Sequence, residues 1–164
     1  MSASNEHVND ITGIRLPADA CVVIIRTEWN DATVGKLEEG CIRLLQQHRV
    51  NFTLITVPGA FEIPFAIKKY WDACKYREDK PHAFIALGCV LRGDTPHFEY
   101  VCRAVTDGIQ QLNMCLPVPT IFGVLTVDNQ QQADDRTGGK HGHKGEEAAI
   151  TALKMIGLVN TFIK

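Results

Sequence analysis

Ala83-Phe-Ile-Ala-Leu-Gly-Cys-Val-Leu-Arg-Gly-Asp-Thr-Pro-His-Phe-Glu-Tyr-Val101 runs from a buried strand into the start of a helix. Its first part, 83–91, is apolar without polar alternation, the pattern of a strand covered on both faces. The chain then turns through Arg92, Gly93 and Asp94, and a stripe at Val101, Val105, Ile109 and Leu112 follows at helical spacing. Thr95 is placed to cap that helix, and Pro96 suits its first position, where the missing N–H costs nothing. A doubly covered strand that feeds a helix is one unit of a parallel sheet.

Outward from this unit, the runs 21–25, 52–57 and 120–127 have the same apolar character. Segment 31–48 places Val34, Leu37, Cys41, Leu44, Leu45 and His48 at spacings of three or four, which predicts an amphipathic helix. A helix is expected over 61–74, where Pro64 is tolerable only in the first turn. A short polar segment, 129–136, precedes a Gly-rich loop. A last helix over 145–159 buries Ala148, Ala152, Met155 and Val159. Four β-then-α units in a row predict a three-layer α/β/α sandwich, with a four-stranded parallel sheet between helices. Residues 1–12 read as a mobile polar tail, and 13–164 as one domain. Ligands of such sheets bind beyond the carboxyl ends of the strands, so the loops of interest are 26–30, 58–62, 92–97 and 128–136.

Composition narrows the function. The 164 residues carry 17 Lys and Arg against 19 Asp and Glu, a net charge of −2, without the basic excess of a nucleic-acid or membrane-surface protein. No apolar run reaches the roughly 18 residues that span a bilayer, and the start lacks the basic and apolar regions of a secretory signal. The six cysteines, at 21, 41, 74, 89, 102 and 115, form no CxxC pair and sit mostly in apolar stretches. They read as reduced core thiols of a cytoplasmic protein.

The chain has neither GxxxxGK[ST] nor a GxGxxG after a strand, which argues against an NTPase or a dinucleotide enzyme. The turn at 92–97 gathers free backbone N–H groups at a helix start and suits an anion such as phosphate. Asp94, Thr95 and the flexible Gly93 lie in it. His97, in the first helical turn, has the right pKa class for proton transfer; it reads equally as a surface histidine. Arg136, followed by Thr137-Gly-Gly-Lys-His-Gly-His-Lys144, reads either as an anion-binding loop or as a solvated turn. His141 and His143 form an HxH pair without an acidic or Cys ligand nearby in sequence, so no metal is assigned to them. Pro58-Gly-Ala-Phe-Glu62 lets a ligand approach backbone amides, with Glu62 an acceptor for hydroxyls. Trp29 is either a stacking platform for a flat ring or a partly buried loop aromatic.

Together these segments resemble the lumazine synthases, which catalyse the penultimate step of riboflavin biosynthesis. The matching stretches are Arg26-Thr-Glu-Trp29-Asn30, Val57-Pro-Gly-Ala-Phe-Glu-Ile-Pro64, residues 86–101 quoted above, Phe122-Gly-Val-Leu-Thr-Val-Asp-Asn129 with Arg136, and Lys144-Gly-Glu-Glu-Ala-Ala149. They follow the family's order from about residue 20 to the end. The resemblance implies a flavodoxin-like fold, whose N-terminal segment is a candidate to add a strand to a neighbouring subunit. It implies condensation of 5-amino-6-(D-ribitylamino)uracil with 3,4-dihydroxy-2-butanone 4-phosphate, without cofactor or metal.

By position, the resemblance has Trp29 stack on the pyrimidine, with Asn30 beside it. Ala60, Phe61 and Glu62 hold the ribityl chain and ring edge, while Cys89, Val90 and Leu91 meet the ring through backbone. Asp94, Thr95 and Arg136 bind phosphate, with Lys144 a second cation. His97 moves protons, and Phe122 closes the pocket from a neighbouring subunit. The resemblance further implies a homopentamer, in some members closed into a 60-subunit icosahedral capsid, and association with riboflavin synthase. The compact loop between Arg136 and Lys144 is of the kind found in capsid-forming members. Trp29 replaces the commoner Phe, Asp94 puts a carboxylate beside a presumed phosphate, and His143 stands where Asn often precedes Lys-Gly. A non-catalytic flavin or lumazine carrier, or a shell protein, is the competing reading.

Overall fold

Each strand of the sheet is followed by a helix. The runs 21–27, 83–91 and 120–127 are mostly buried, whereas 51–57, expected to be equally covered, lies at the sheet edge and is mostly exposed. The computed structural model describes residues 9–163. Strands β1 (Cys21–Thr27), β2 (Asn51–Val57), β3 (Ala83–Leu91) and β4 (Thr120–Val127) are all parallel, in the order β2-β1-β3-β4. Helices α1 (Asp31–Gln47), α2 (Ile63–Cys74), α3 (His97–Cys115), α4 (Gln130–Asp135) and α5 (Lys144–Phe162) complete the α/β/α sandwich. This is the flavodoxin-like architecture expected from the sequence.

Alternate side chains of the sheet enter two cores. Val22, Ile24, Ile85, Leu87 and Leu125 pack against Val34, Leu37 and Leu45 of α1 and Ala149 and Leu153 of α5. Val23, Ile25, Phe84, Ala86 and Val124 pack against Ile63 and Ile67 of α2 and Val105 and Ile109 of α3. Fully burying one such large apolar side chain is worth about 1.5–3 kcal/mol. Phe84 also meets Tyr70 and Trp71 edge-on, at centroid distances of 6.0 and 6.4 Å. On the first face the layers touch at glycine: a Cβ on Gly145 would lie 2.0 Å from the Leu37 carbonyl oxygen, so α1 and α5 cross backbone to backbone.

Three local features differ from the pattern reading. Ala60–Glu62 forms a 3-10 turn before α2 begins at Ile63, with Pro64 in the first turn as required. Helix α3 begins at His97, and Pro96 occupies the cap. The Gly-rich loop folds as a small hairpin of β5 (Thr137–Gly139) and β6 (Gly142–His143), in which Gly138 and Gly142 adopt positive φ of 106° and 84°.

Of the expected polar tail, residues 1–8 lie outside the described residues. Within residues 9–12, Ile11 packs against the α1–α5 core. Further on, Ile14 lies against Gly157 of α5, and the Arg15 carbonyl accepts from Asn160 at 3.2 Å. No described helix is long and apolar enough to cross a membrane.

Candidate active site

The strand order reverses between β1 and β3, so their carboxyl ends open the crevice in which such sheets bind ligands. Backbone hydrogen bonds from Glu28 to Val57 (2.9 Å) and from Trp29 to Pro58 (3.1 Å) strap the loop after β1 to the loop after β2. The Thr27 hydroxyl, buried beneath, donates to the Trp29 carbonyl at 3.3 Å. Trp29 is 63% exposed, and its ring lies over Gly59, where a Cβ would come within 2.9 Å of Cε3. The same Cβ position is 3.1 Å from Oε2 of Glu62, a buried oxygen with no hydrogen-bond partner among the described residues. Phe61 presents a second aromatic face, 62% exposed. An indole shelf with an unsatisfied acceptor at its foot is suited to a flat ring that carries hydroxyls.

Asn30 closes this part of the crevice. Its backbone is left-handed (φ 59°, ψ 40°), and its side-chain nitrogen donates to the Cys89 carbonyl at 2.8 Å. Cys89 is buried, and burial pushes its thiol up to about 11, which makes it an inert wall rather than a nucleophile. Val90 is half-buried and Leu91 exposed, so the end of β3 offers backbone and aliphatic surface.

Beyond β3 the turn 92–96 is held by Arg92. Its Nε donates to Asp128 at 2.6 Å, Nη1 donates to Glu99, and the guanidinium stacks on Phe98 at 4.1 Å. Among the described residues, the backbone N–H groups of Gly93, Asp94 and Thr95 have no protein acceptor. These amides lie just before the amino end of α3, a position that attracts anions. The Thr95 hydroxyl accepts from the His97 N–H at 3.4 Å, and the exposed His97 opens the helix beside them. The Asp94 carboxylate is exposed and makes no ion pair among the described residues.

Arg136 and Lys144 lie elsewhere in the subunit. Helix α4, capped by Asn129, docks on α1 through Gln130 to Thr33 (3.1 Å) and Lys36 to Asp134 (3.1 Å). It delivers Arg136 to Glu147 of α5, which accepts from Nη1 at 2.9 Å and Nη2 at 2.8 Å, while the His141 carbonyl accepts from Nη1. Burial raises the affinity of Glu147 for its proton, but the hydrogen bonds and charge of Arg136, with Lys144, outweigh that and hold the carboxyl below its usual range. Lys144 Nζ is 3.8 Å from the same carboxylate. Phe122, paired with Ala86 in mid-strand, is half-buried on the α2–α3 face.

One chain therefore assembles two groups. Trp29, Asn30, Ala60, Phe61, Glu62 and Cys89 to Leu91 surround the crevice, with Asp94, Thr95 and His97 at the end of β3. Among the described residues, no hydrogen bond or ion pair joins Arg136 or Lys144 to that group, whereas Phe122 packs in the same apolar cluster as Ala60 and Val90. Sequence reasoning missed Arg92 and Glu147. Arg92 adjoins the 93–95 turn in sequence, which is a local signal; the partnership of Glu147 with Arg136 is set by tertiary docking.

The 6,7-dimethyl-8-ribityllumazine synthase family model matches residues 19–160. The chain is 43% identical over 150 residues to a 6,7-dimethyl-8-ribityllumazine synthase of Parabacteroides distasonis, covering 90% of this chain and 91% of that one. It is 46% identical over 152 residues to that of Porphyromonas gingivalis, covering 91% of each. It is 43% identical over 161 residues to that of Cytophaga hutchinsonii, covering 95% of this chain and 98% of that one. The sheet, the crevice and these matches agree: the chain belongs to the 6,7-dimethyl-8-ribityllumazine synthase family.

Proposed function

We propose that the crevice at the ends of β1 and β3 is where this enzyme condenses 5-amino-6-(D-ribitylamino)uracil with 3,4-dihydroxy-2-butanone 4-phosphate. The observation that carries this reading is the pairing of the Trp29 indole with the unsatisfied Glu62 oxygen, together with three free amides before α3. The pyrimidine lies on Trp29, the Glu62 carboxylate accepts from ribityl hydroxyls, and Asn30, Ala60, Phe61 and the backbone of Cys89, Val90 and Leu91 enclose the ring. The amides at Asp94 and Thr95 hold the phosphate.

The chemistry is then alignment and proton transfer. The 5-amino group attacks the ketone, and loss of water leaves an imine. Elimination breaks the C–O bond to phosphate and releases inorganic phosphate. The ribitylamino nitrogen closes the second ring with loss of another water, giving 6,7-dimethyl-8-ribityllumazine. His97 takes and returns the protons, and fixed geometry supplies most of the acceleration.

Arg136, Lys144 and Phe122 complete the site from an adjacent subunit of a homopentamer. The lack, among the described residues, of any hydrogen bond or ion pair from Arg136 or Lys144 to the crevice group supports that reading, as do the exposed Phe65, Tyr76 and Met114, at 67%, 91% and 78%. The compact hairpin between Arg136 and Lys144 favours pentamers closed into an icosahedral shell, and riboflavin synthase, which consumes the product, is the expected partner. The test is formation of fluorescent lumazine from both substrates, with particle mass measured alongside. His97→Ala should slow turnover at unchanged particle mass, and Arg136→Ala should raise the phosphate substrate concentration required. No product above the uncatalysed background from a folded, assembled chain refutes the reading.

A further inference from the structure

His143 is singled out by the sequence, yet the reaction has no use for it. Its ring lies flat on the bare backbone of Gly40 in α1: a Cβ there would sit 2.2 Å from Cε1 and 2.6 Å from each ring nitrogen. From that slot Nδ1 accepts the Glu146 N–H at 3.4 Å and caps α5. An accepting Nδ1 places the ring proton on Nε2. The same residue ends the hairpin, paired with Thr137, and the following Lys144 N–H donates to the Arg136 carbonyl at 2.8 Å. One turn into α5, Glu147 grips Arg136 with both carboxylate oxygens.

The donor count at Arg136 gives this grip a purpose. A guanidinium has five N–H donors in two usable forks. Glu147 occupies the end fork, and the His141 carbonyl takes another Nη1 hydrogen. Among the described residues, Nε–H and the second Nη2 hydrogen have no acceptor, and these form the side fork that a phosphate accepts in bidentate fashion.

We infer that His143 is a positioning residue for Arg136: its neutral imidazole, wedged on Gly40, sets the first turn of α5 so that Glu147 fixes the guanidinium with its side fork free for the phosphate substrate. This rests on the reading of Arg136 as a phosphate ligand. The charged groups around the ring are Glu146 and Glu147 of α5 and Arg43 of α1, which itself pairs with Glu146. Burial lowers the imidazole below its ordinary 6.5; Arg43 acts in the same direction, and the two carboxylates oppose it. The neutral, capping form therefore persists through the ordinary imidazole range, and the cap is lost only at pH more acid than that. A protonated Nδ1 would point a donor at the Glu146 N–H and a positive charge at Glu147.

The test is steady-state kinetics of the assembled enzyme between about pH 5.5 and 8 for the parent, His143→Ala, His143→Asn and Arg136→Ala. His143→Ala should raise KM for the phosphorylated ketone about fivefold, the factor a lost cap supplies, with kcat changed less than about twofold. His143→Asn keeps an acceptor without a titrating ring, so its KM should match the parent at pH 8 and rise less toward acid. The second ionisation of the substrate phosphate, at about 6, is common to both profiles and cancels in that comparison. Unchanged KM in His143→Ala, with KM raised in Arg136→Ala, overturns the inference and leaves the phosphate reading standing. Unchanged KM in Arg136→Ala overturns the phosphate reading itself. Should His143→Ala fail to assemble, an acid-side rise in His143→Asn identical to the parent's overturns the inference alone.

Discussion

Asn30 donates its side-chain amide to the Cys89 carbonyl oxygen at 2.8 Å, and so ties the loop after β1 to the end of β3 where the strand order reverses. The residue also holds a left-handed backbone, which costs other side chains about 1 kcal/mol or more. Asn30→Ala loses both the tie and the local tolerance, and should destabilise the subunit by about 2 kcal/mol. Asn30→Gly keeps the backbone free and should lose only about half of that. Thermal unfolding at fixed subunit concentration is the measurement. If Asn30→Ala melts like the parent while KM for the pyrimidine rises, the amide serves the substrate and not the fold.

Arg92 joins three chain segments: its own strand end, Glu99 in the first turn of α3 and Asp128 beyond β4. The ion pairs are solvent-exposed, so they add little to stability, but they hold the turn that presents the free amides of 93–95 and His97. Arg92→Met should lower kcat about tenfold and speed hydrogen exchange at residues 93–97, with little change in melting temperature. Arg92 keeps both carboxyls below their ordinary range, so the clamp persists into acid and is lost only below the usual carboxylate values. A kcat loss that begins near neutrality in the parent therefore has another origin. A parent-like kcat in Arg92→Met would show that the turn holds itself.

The parts legible in the sequence are those where one physical requirement acts locally. Runs such as 83–91 announce doubly buried strands because both faces must be covered, and Pro64 and Pro96 mark helix starts because each lacks an N–H. The crevice followed, since βα loops lie at one edge of a parallel sheet. What escaped depends on tertiary docking. Neither the cap that His143 places on α5 nor the hold of Glu147 on Arg136 leaves a periodic trace. The 137–143 hairpin reads as a loop because Gly138 and Gly142, both at positive φ, supply turn geometry without an apolar pattern.

Two glycines in the α1–α5 layer should respond oppositely to a methyl group. A Cβ on Gly145 would overlap the backbone of Leu37, with its carbonyl oxygen at 2.0 Å and its Cα at 2.9 Å. The helices must then separate, and Gly145→Ala should cost about 3 kcal/mol or abolish assembly. At Gly35, inside α1, a Cβ meets nothing within 4 Å, so Gly35→Ala should gain about 0.5–1 kcal/mol from helix propensity. Denaturant unfolding checks both. A stable Gly145→Ala would mean that α5 does not sit against Leu37.

Glu62 is a case where stability and function should separate. Its Oε2 is buried without a partner, and an unmet charged acceptor costs about 1–3 kcal/mol or more. Glu62→Gln removes the charge at nearly constant volume. The free enzyme should melt at the same temperature or higher, because the buried Oε2 position makes no hydrogen bond that the substitution could lose. The variant should bind the pyrimidine substrate worse, with KM raised about tenfold, since hydroxyl groups lose a charged acceptor. KM for the phosphorylated ketone should stay near the parent's, because the proposed phosphate site is the set of amides before α3, apart from the hydroxyl acceptor. A variant that melts lower with both KM values unchanged would make Glu62 a structural residue and remove the acceptor at the foot of Trp29 from the site.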